Sequence, residues 1–286
     1  MGWAIWTDVA RGVAAASAEM TDEGLEGVGT VSMALEPEPE PETAPVRAAI
    51  AQGEMAGRTA VVTGATGFLG RWVVSELLAA GATVIAAYHG AERRQEAEQE
   101  IAEHGPTERM HWVQADLTQT AEAHALIGAA LAETGRIDAL LCLAGGFAAE
   151  AVEGGAWESW QRLYEQNART ALLPIQAALP NMKRQEYGRI ILVGAKAALR
   201  AGRGMGAYAA AKGAVLRLTE ALAAEVAGSG ITANAVLPGT IDTPANRQAM
   251  PNANHAAWDS PKRLARLMLW LASPTAADVN GQLLTL

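Results

Sequence analysis

Tyr208 and Lys212 stand four residues apart in Tyr-Ala-Ala-Ala-Lys, a spacing that brings both side chains to one face if the segment is helical. An ammonium beside a phenol stabilises the phenolate and lowers its pKa, so such a pair can exchange a proton with a bound substrate near neutrality. By itself the spacing is common, because a surface lysine next to a half-buried tyrosine reads the same way. Its weight depends on which elements carry it and what else reaches the same place.

A second set of residues points to a bound anion. Thr63-Gly64-Ala65-Thr66-Gly67-Phe68-Leu69-Gly70 follows a β-branched run and opens an apolar helical stretch. Gly64, Gly67 and Gly70, with Thr66, Phe68 and Leu69 between them, allow a tight turn and a close approach of backbone to a pyrophosphate at a helix amino terminus. In this strand-loop-helix setting, binding of a nicotinamide dinucleotide outweighs an ordinary βα turn. At the end of the second expected strand, where NAD binders carry a carboxylate for the ribose hydroxyls, the chain has Tyr88-His89-Gly90. With no carboxylate in that turn, and His89, Arg93 and Arg94 close in sequence, the expected cofactor is NADPH rather than NADH; the alternative is that the two arginines only start a solvated helix. Asp116 is expected at the adenine with Leu117 packed beside it, or else as a helix cap. Ala144 and Gly145 are small enough for backbone to pass near the nicotinamide ribose. Cys142 just before them reads as a small buried residue, without a basic neighbour to activate it.

The elements between these residues alternate. Strands are expected over 59–63, 83–87, 110–114, 139–143, 189–193, 231–236 and 282–286, and helices over about 68–80, 91–103, 119–134, 157–183, 205–227 and 261–271. That order predicts an α/β class fold: a doubly wound, seven-stranded parallel sheet in a single domain, with ligands beyond the carboxyl ends of the strands. The glycine loop, Asp116, Ala144-Gly145 and Gly194-Ala195 all fall just past such ends.

Composition narrows the class. The net charge of −9 is concentrated in residues 1–54, where ten acidic and two basic residues leave only −1 for the rest. This argues against nucleic acid as a partner. Glu36 to Glu42 alternates glutamate with proline, so 1–54 is expected to be a disordered acidic extension and 55–286 the folded domain. No apolar run is long enough to cross a bilayer, and the opening residues lack the pattern of a secretory signal, so no membrane partner is expected. One cysteine excludes an internal disulfide and suits the cytoplasm. The five histidines show no metal-ligand spacing, so no metal is expected.

Taken together, the glycine loop, Asp116, Ala144-Gly145, Tyr208-x-x-x-Lys212 and Pro238-Gly239 resemble the short-chain dehydrogenase/reductase family over about Gly57 to Leu286, in order and spacing. The resemblance implies a Rossmann-like fold and an NAD(P)-dependent oxidoreductase acting on a small molecule as a homodimer or homotetramer. It further implies that Tyr208 is the proton donor and that Lys212 also bonds the nicotinamide ribose. Asn167 would hold a water in the relay to Lys212, although a helix-surface amide is an equal alternative. Pro238, Gly239 and Ile241, within 238–243, would fold over the nicotinamide.

Two positions depart from the family pattern. Gly67-Phe68 has the glycine spacing of extended members. Ala195, thirteen residues before Tyr208, stands where most members carry a serine that polarises the substrate carbonyl. Losing such a donor costs ~2.7–4 kcal/mol of transition-state stabilisation for a ketone, whereas a basic C=N nitrogen needs it less. Over about residues 140–260 the chain is similar to the dihydropteridine reductases within the family, which also lack this serine. The first expectation is therefore reduction of quinonoid dihydropterin or a related C=N compound, with Phe147, Ala148, Ala149 and 242–258 as substrate walls. A general NADPH-dependent carbonyl reductase is the second, and a weakly catalytic nucleotide-binding subunit the third.

Overall fold

The structure is a computed structural model and describes residues 54–286. The acidic extension inferred for 1–54 thus lies, apart from Glu54, outside the described residues. Met55 is fully buried and its amide donates to the Ala80 carbonyl, so packing is established from there on.

Seven parallel strands form one sheet. They are β1 (Thr59–Thr63), β2 (Thr83–Tyr88), β3 (Met110–Gln114), β4 (Ala139–Cys142), β5 (Gly188–Val193), β6 (Ile231–Val236) and β7 (Leu283–Leu284), in the order β3-β2-β1-β4-β5-β6-β7. The reversal between β1 and β4 opens a crevice at their carboxyl ends, where doubly wound folds place dinucleotides. Successive strand residues point to opposite faces, and both faces of the central strands are covered, so β1, β2 and β4 are largely apolar rather than alternating, while edge strand β3 is only partly buried. Val61 faces one core with Leu140, Ile190 and Ala233; Ala60 and Val62 face the other with Leu141 and Ile191.

The first core is closed by α3 (Thr120–Thr134), α5 (Thr170–Gln185) and α6 (Gly206–Glu225). The second is closed by α1 (Phe68–Ala79), α2 (Arg94–Glu103) and α8 (Pro261–Ala272). Two shorter helices, α4 (Trp157–Tyr164) and α7 (Pro244–Ala249), complete the α-helices of the described residues.

The doubly wound architecture is as expected, with two local differences. The single helix expected over 157–183 is interrupted, because Glu165–Arg169 forms a π-turn between α4 and α5. One extra residue in that turn shifts the helix face and directs both Asn167 and Ala168 inward, where they are buried. Helix α7 was not expected. It is only six residues long, begins at a proline, and is capped by the Thr243 hydroxyl accepting from the Asn246 amide.

Candidate active site

The phosphate loop is built by contact between β1 and its neighbours. Gly64 has φ +65°, and a Cβ there would lie 2.9 Å from the Ala144 amide nitrogen, so only glycine fits where β1 and β4 end together. A Cβ on Gly70 would lie 2.3 Å from the Gly64 carbonyl oxygen. These two glycines leave a cradle in front of α1, whose amino terminus has no capping side chain and no acid in its first turn. Unsatisfied amides facing a bare cradle fit a pyrophosphate. Thr66 contributes through its carbonyl, which accepts from Arg71 Nε at 3.1 Å; Arg71 is paired in turn with Glu96 and Glu100. Phe68 and Leu69 form the first turn of α1.

Around the adenosine end, His89 is exposed and its carbonyl accepts from Gln114 Nε2 at 3.1 Å. Arg94 lies over the rings of Tyr88 and Trp112 and pairs with Glu98, while Arg93 is exposed. The Asp116 carboxyl is held below the ordinary carboxylate range first by the Thr118 hydroxyl and amide, which bond Oδ1 at 2.7 and 2.9 Å. Asp116 therefore shapes the turn into α3. Leu117 is buried in the core beneath it.

At the nicotinamide end, three side chains tie strand ends to loops. Thr63 Oγ1 accepts from the amides of Leu143 and Ala144 at 3.0 and 3.1 Å, joining β1 to β4. Asn167 Oδ1 accepts from the Gly146 amide at 3.3 Å, and its Nδ2 donates to the carbonyls of Gly146 and Leu163, both at 2.9 Å. Asp259 Oδ2 accepts from the Gly239 amide at 2.6 Å and pairs with Lys196, whose own amide donates to the Pro238 carbonyl. Ile241 forms a parallel bridge to Asp259 and its carbonyl accepts from Asn246 Nδ2. Pro238, Gly239 and Ile241 are thus held as one rigid strap past β6. Sequence reasoning missed Thr63, Lys196 and Asp259. The first was visible as the last residue of a strand, but nothing in the spacing linked Asp259 to Gly239.

Tyr208 and Lys212 are one turn apart on α6, as expected. Lys212 is only 6% exposed and its Nζ donates to the Val193 carbonyl at 2.8 Å, at the end of β5. A Cβ on Gly145 would lie 3.4 Å from that Nζ and 2.7 Å from Asn167 Oδ1, so Lys212, Asn167 and the end of β4 converge on one spot. Burial lowers the Lys212 pKa to about 8 and raises that of Tyr208 to about 12. Burial thus moves Tyr208 in the direction opposite to that expected from a neighbouring ammonium: at neutral pH the phenol is protonated, with a charged Lys212 one turn away. Phe147 meets the Tyr208 ring edge-on at 4.9 Å, and Ala148, Trp160 and Leu163 pack in the same cluster. Ala195 is buried at the end of β5 and presents no hydroxyl. Cys142 is fully buried, and burial pushes its thiol up to about 12, so it is no nucleophile.

An open cleft of about 470 Å³ lies in the 242–260 segment, lined by Asp242, Arg247, His255, Trp258, Asp259 and Arg263 among others. None of the glycine loop, Tyr208 or Lys212 lines it. The glycine loop and Lys212 lie instead at the carboxyl edge of the sheet, while the cleft is lined by part of the 242–258 segment expected as a substrate wall.

The family model described as "short chain dehydrogenase" matches residues 58–254. The chain is 31% identical over 245 residues to the D-beta-hydroxybutyrate dehydrogenase of Cupriavidus necator, covering 79% of this chain and 94% of that protein. It is 29% identical over 237 residues to the acetoacetyl-CoA reductase of an Acinetobacter species, covering 80% and 96%. The crystal structure of levodione reductase superposes with a TM-score of 0.76 at 24% identity, over 81% of this chain and 96% of that one, a likeness of fold.

The buried pair sets a pH dependence. Between pH 8 and the ordinary lysine value of 10.5, the unfolded chain holds a proton on Lys212 that the folded chain has released, so stability rises with pH. Above 10, Tyr208 reverses the sign, because the unfolded phenol ionises while the folded one stays protonated to about 12. Urea midpoints of the cofactor-free protein should show a Lys212-dependent increase from pH 8 towards 10, and Lys212→Met should remove it. An identical pH profile in that variant would mean that Lys212 is not held with a lowered pKa.

Proposed function

The chain belongs to the short-chain dehydrogenase/reductase family, and from that premise we propose that this NAD(P)-dependent oxidoreductase is a carbonyl reductase for small ketones, with Tyr208 as proton donor. The observation that carries the reading is the convergence of buried Lys212, Asn167 and the Gly145 backbone at the carboxyl edge of β4 and β5, with Tyr208 one turn before Lys212 on α6. When bound, the nicotinamide supplies hydride. The chain's own residues do the rest: Tyr208 holds a proton at its hydroxyl for the substrate oxygen, and Lys212 favours the phenolate that remains. Phe147, Trp160 and Leu163 keep water from the pair.

Relatives of this chain are named for oxygen substrates, hydroxybutyrate and acetoacetyl-CoA, which favours ketone reduction over the pterin expected from sequence. One observation keeps a C=N substrate as the second reading: Ala195 leaves Tyr208 without a second donor from the end of β5. The third reading, a nucleotide-binding subunit, has against it the intact geometry of Tyr208 and Lys212. NADPH is the favoured cofactor, because the turn Tyr88-His89-Gly90 that ends β2 holds no carboxylate, and exposed Arg93 follows it, beside Glu92. A homodimer or homotetramer belongs to the same reading. Trp157 and Tyr164, seven residues apart on one face of α4, are 69% and 55% exposed, and such aromatics are favoured at interfaces.

Three measurements follow from this reading. In a panel of ketones and quinonoid dihydropterin with both cofactors, ketones should be reduced, and Tyr208→Phe should lose roughly 10²–10⁴-fold in turnover while still binding cofactor. Turnover of the pterin alone would replace the ketone reading, and cofactor binding without any turnover would favour the subunit. Arg93→Ala should raise the KM for NADPH by about tenfold, the loss of one phosphate contact, and leave that for NADH unchanged; equal effects would remove Arg93 from cofactor selection. Light scattering should find a dimer or tetramer that Trp157→Glu dissociates, whereas a monomeric parent protein would exclude the assembly.

A further inference from the structure

Tyr208 is fixed at its backbone by α6, and its ring packs against the cluster of Leu163, Ala207 and Ala211. Its hydroxyl sits at the end of a side chain with two soft torsions, and proton transfer needs that oxygen placed within hydrogen-bond reach of the substrate. The Lys212 Nζ donates to the Val193 carbonyl, and Ala195, just past β5, has no polar side-chain atom to bond the hydroxyl. Phe147 meets the ring edge-on, with centroids 4.9 Å apart and planes at 79°.

Phe147 is itself held on both sides along the chain. Before it, Gly146 is clamped by Asn167, which both accepts from the Gly146 amide and donates to its carbonyl. After it, the Glu150 amide donates to the Gly204 carbonyl at 2.7 Å, tying the same loop to the turn that precedes α6. Asn167 is in turn fixed because the π-turn buries it and the Leu163 carbonyl accepts its second amide hydrogen. A rigid path therefore runs from the π-turn through Asn167, Gly146 and Phe147 to the ring of Tyr208. Each link is a specific contact between a side chain and a neighbour, and an aromatic edge-on contact restricts ring position more than aliphatic packing would.

We propose that Phe147 is the positioning residue for Tyr208, and that Asn167 acts on the proton-transfer pair through Phe147. This rests on Tyr208 being the proton donor, as above. Holding the phenol from the side in this way places the reacting oxygen without a hydroxyl at position 195. The substrate then meets an aromatic wall directly beside the donor, which suits apolar carbonyl compounds without a charged group next to the reacting carbon.

The test compares Phe147→Leu, which keeps an apolar side chain, with Phe147→Tyr, which keeps the ring. Phe147→Leu should lower kcat by roughly five- to tenfold, the scale of one aromatic pair, with the cofactor Kd and the melting temperature unchanged, and Phe147→Tyr should restore it. Asn167→Ala should lower kcat, and the Asn167→Ala/Phe147→Leu double variant should fall short of the product of the two effects, as for residues acting along one path. A readout independent of turnover is fluorine NMR of protein labelled with 3-fluorotyrosine. The chain has four tyrosines, and the Tyr208 signal is identified by its loss in Tyr208→Phe. In Phe147→Leu that signal should broaden or split as the ring samples more than one position. A single sharp Tyr208 signal with unchanged kcat in Phe147→Leu would overturn the proposal, as would fully multiplicative effects of the two substitutions. If the parent protein reduces no substrate, the proton-donor reading fails on its own, while the NMR comparison still decides whether Phe147 holds the ring.

Discussion

A lysine ammonium buried to 6% exposure is the constraint around which this site is organised. Taking that charge from water is unfavourable unless the remaining protons find acceptors, and the Val193 carbonyl at the end of β5 supplies one at 2.8 Å. The bond cannot form unless α6 lies across the carboxyl end of β5, which fixes where Tyr208 emerges. Burial then acts on both groups in opposite directions, lowering Lys212 to about 8 and raising Tyr208 to about 12. The pair is neutral phenol plus ammonium at physiological pH, the combination needed to give a proton away.

The loops at this edge have to satisfy backbone groups that no longer have ladder partners. Here they do so through side chains from distant parts of the chain. Thr63 bonds two amides beyond β4, Asn167 bonds both polar groups of Gly146, and Asp259 accepts from Gly239 while pairing with Lys196. Each bond costs little in flexibility, because the donor or acceptor sits on or next to a regular element or bridge. The result is a rigid rim on which a dinucleotide and a small substrate can be placed without first ordering the protein.

Ala195 marks where this chain departs from the usual arrangement of its family. A ketone reduced here would have one donor for its developing alkoxide rather than two, which limits the rate and makes the placement of the remaining donor more important. The relatives' oxygen substrates and the missing hydroxyl thus pull in different directions. Edge-on packing by Phe147 against Tyr208 is a physical means of reconciling them, since it improves positioning where electrostatic assistance is reduced.

Local pattern determined much of this protein. The strand runs of β1 to β6, the glycine pattern between β1 and α1, and the four-residue spacing of Tyr208 and Lys212 are carried by residue types at short spacing, so they were legible in the sequence, although the close approach of Gly64 to Ala144 was not. The family followed from their order. Less legible was the break at Glu165–Arg169, because a π-turn has no strong residue preference and arises from how α4 and α5 pack. Nor could spacing reveal that Asp259 holds Gly239, that Asn167 spends its amide on Gly146, or that Phe147 meets the ring of Tyr208. Those contacts join residues 20 to 61 positions apart, and only a folded chain, in which non-local burial has chosen one packing among many, decides them.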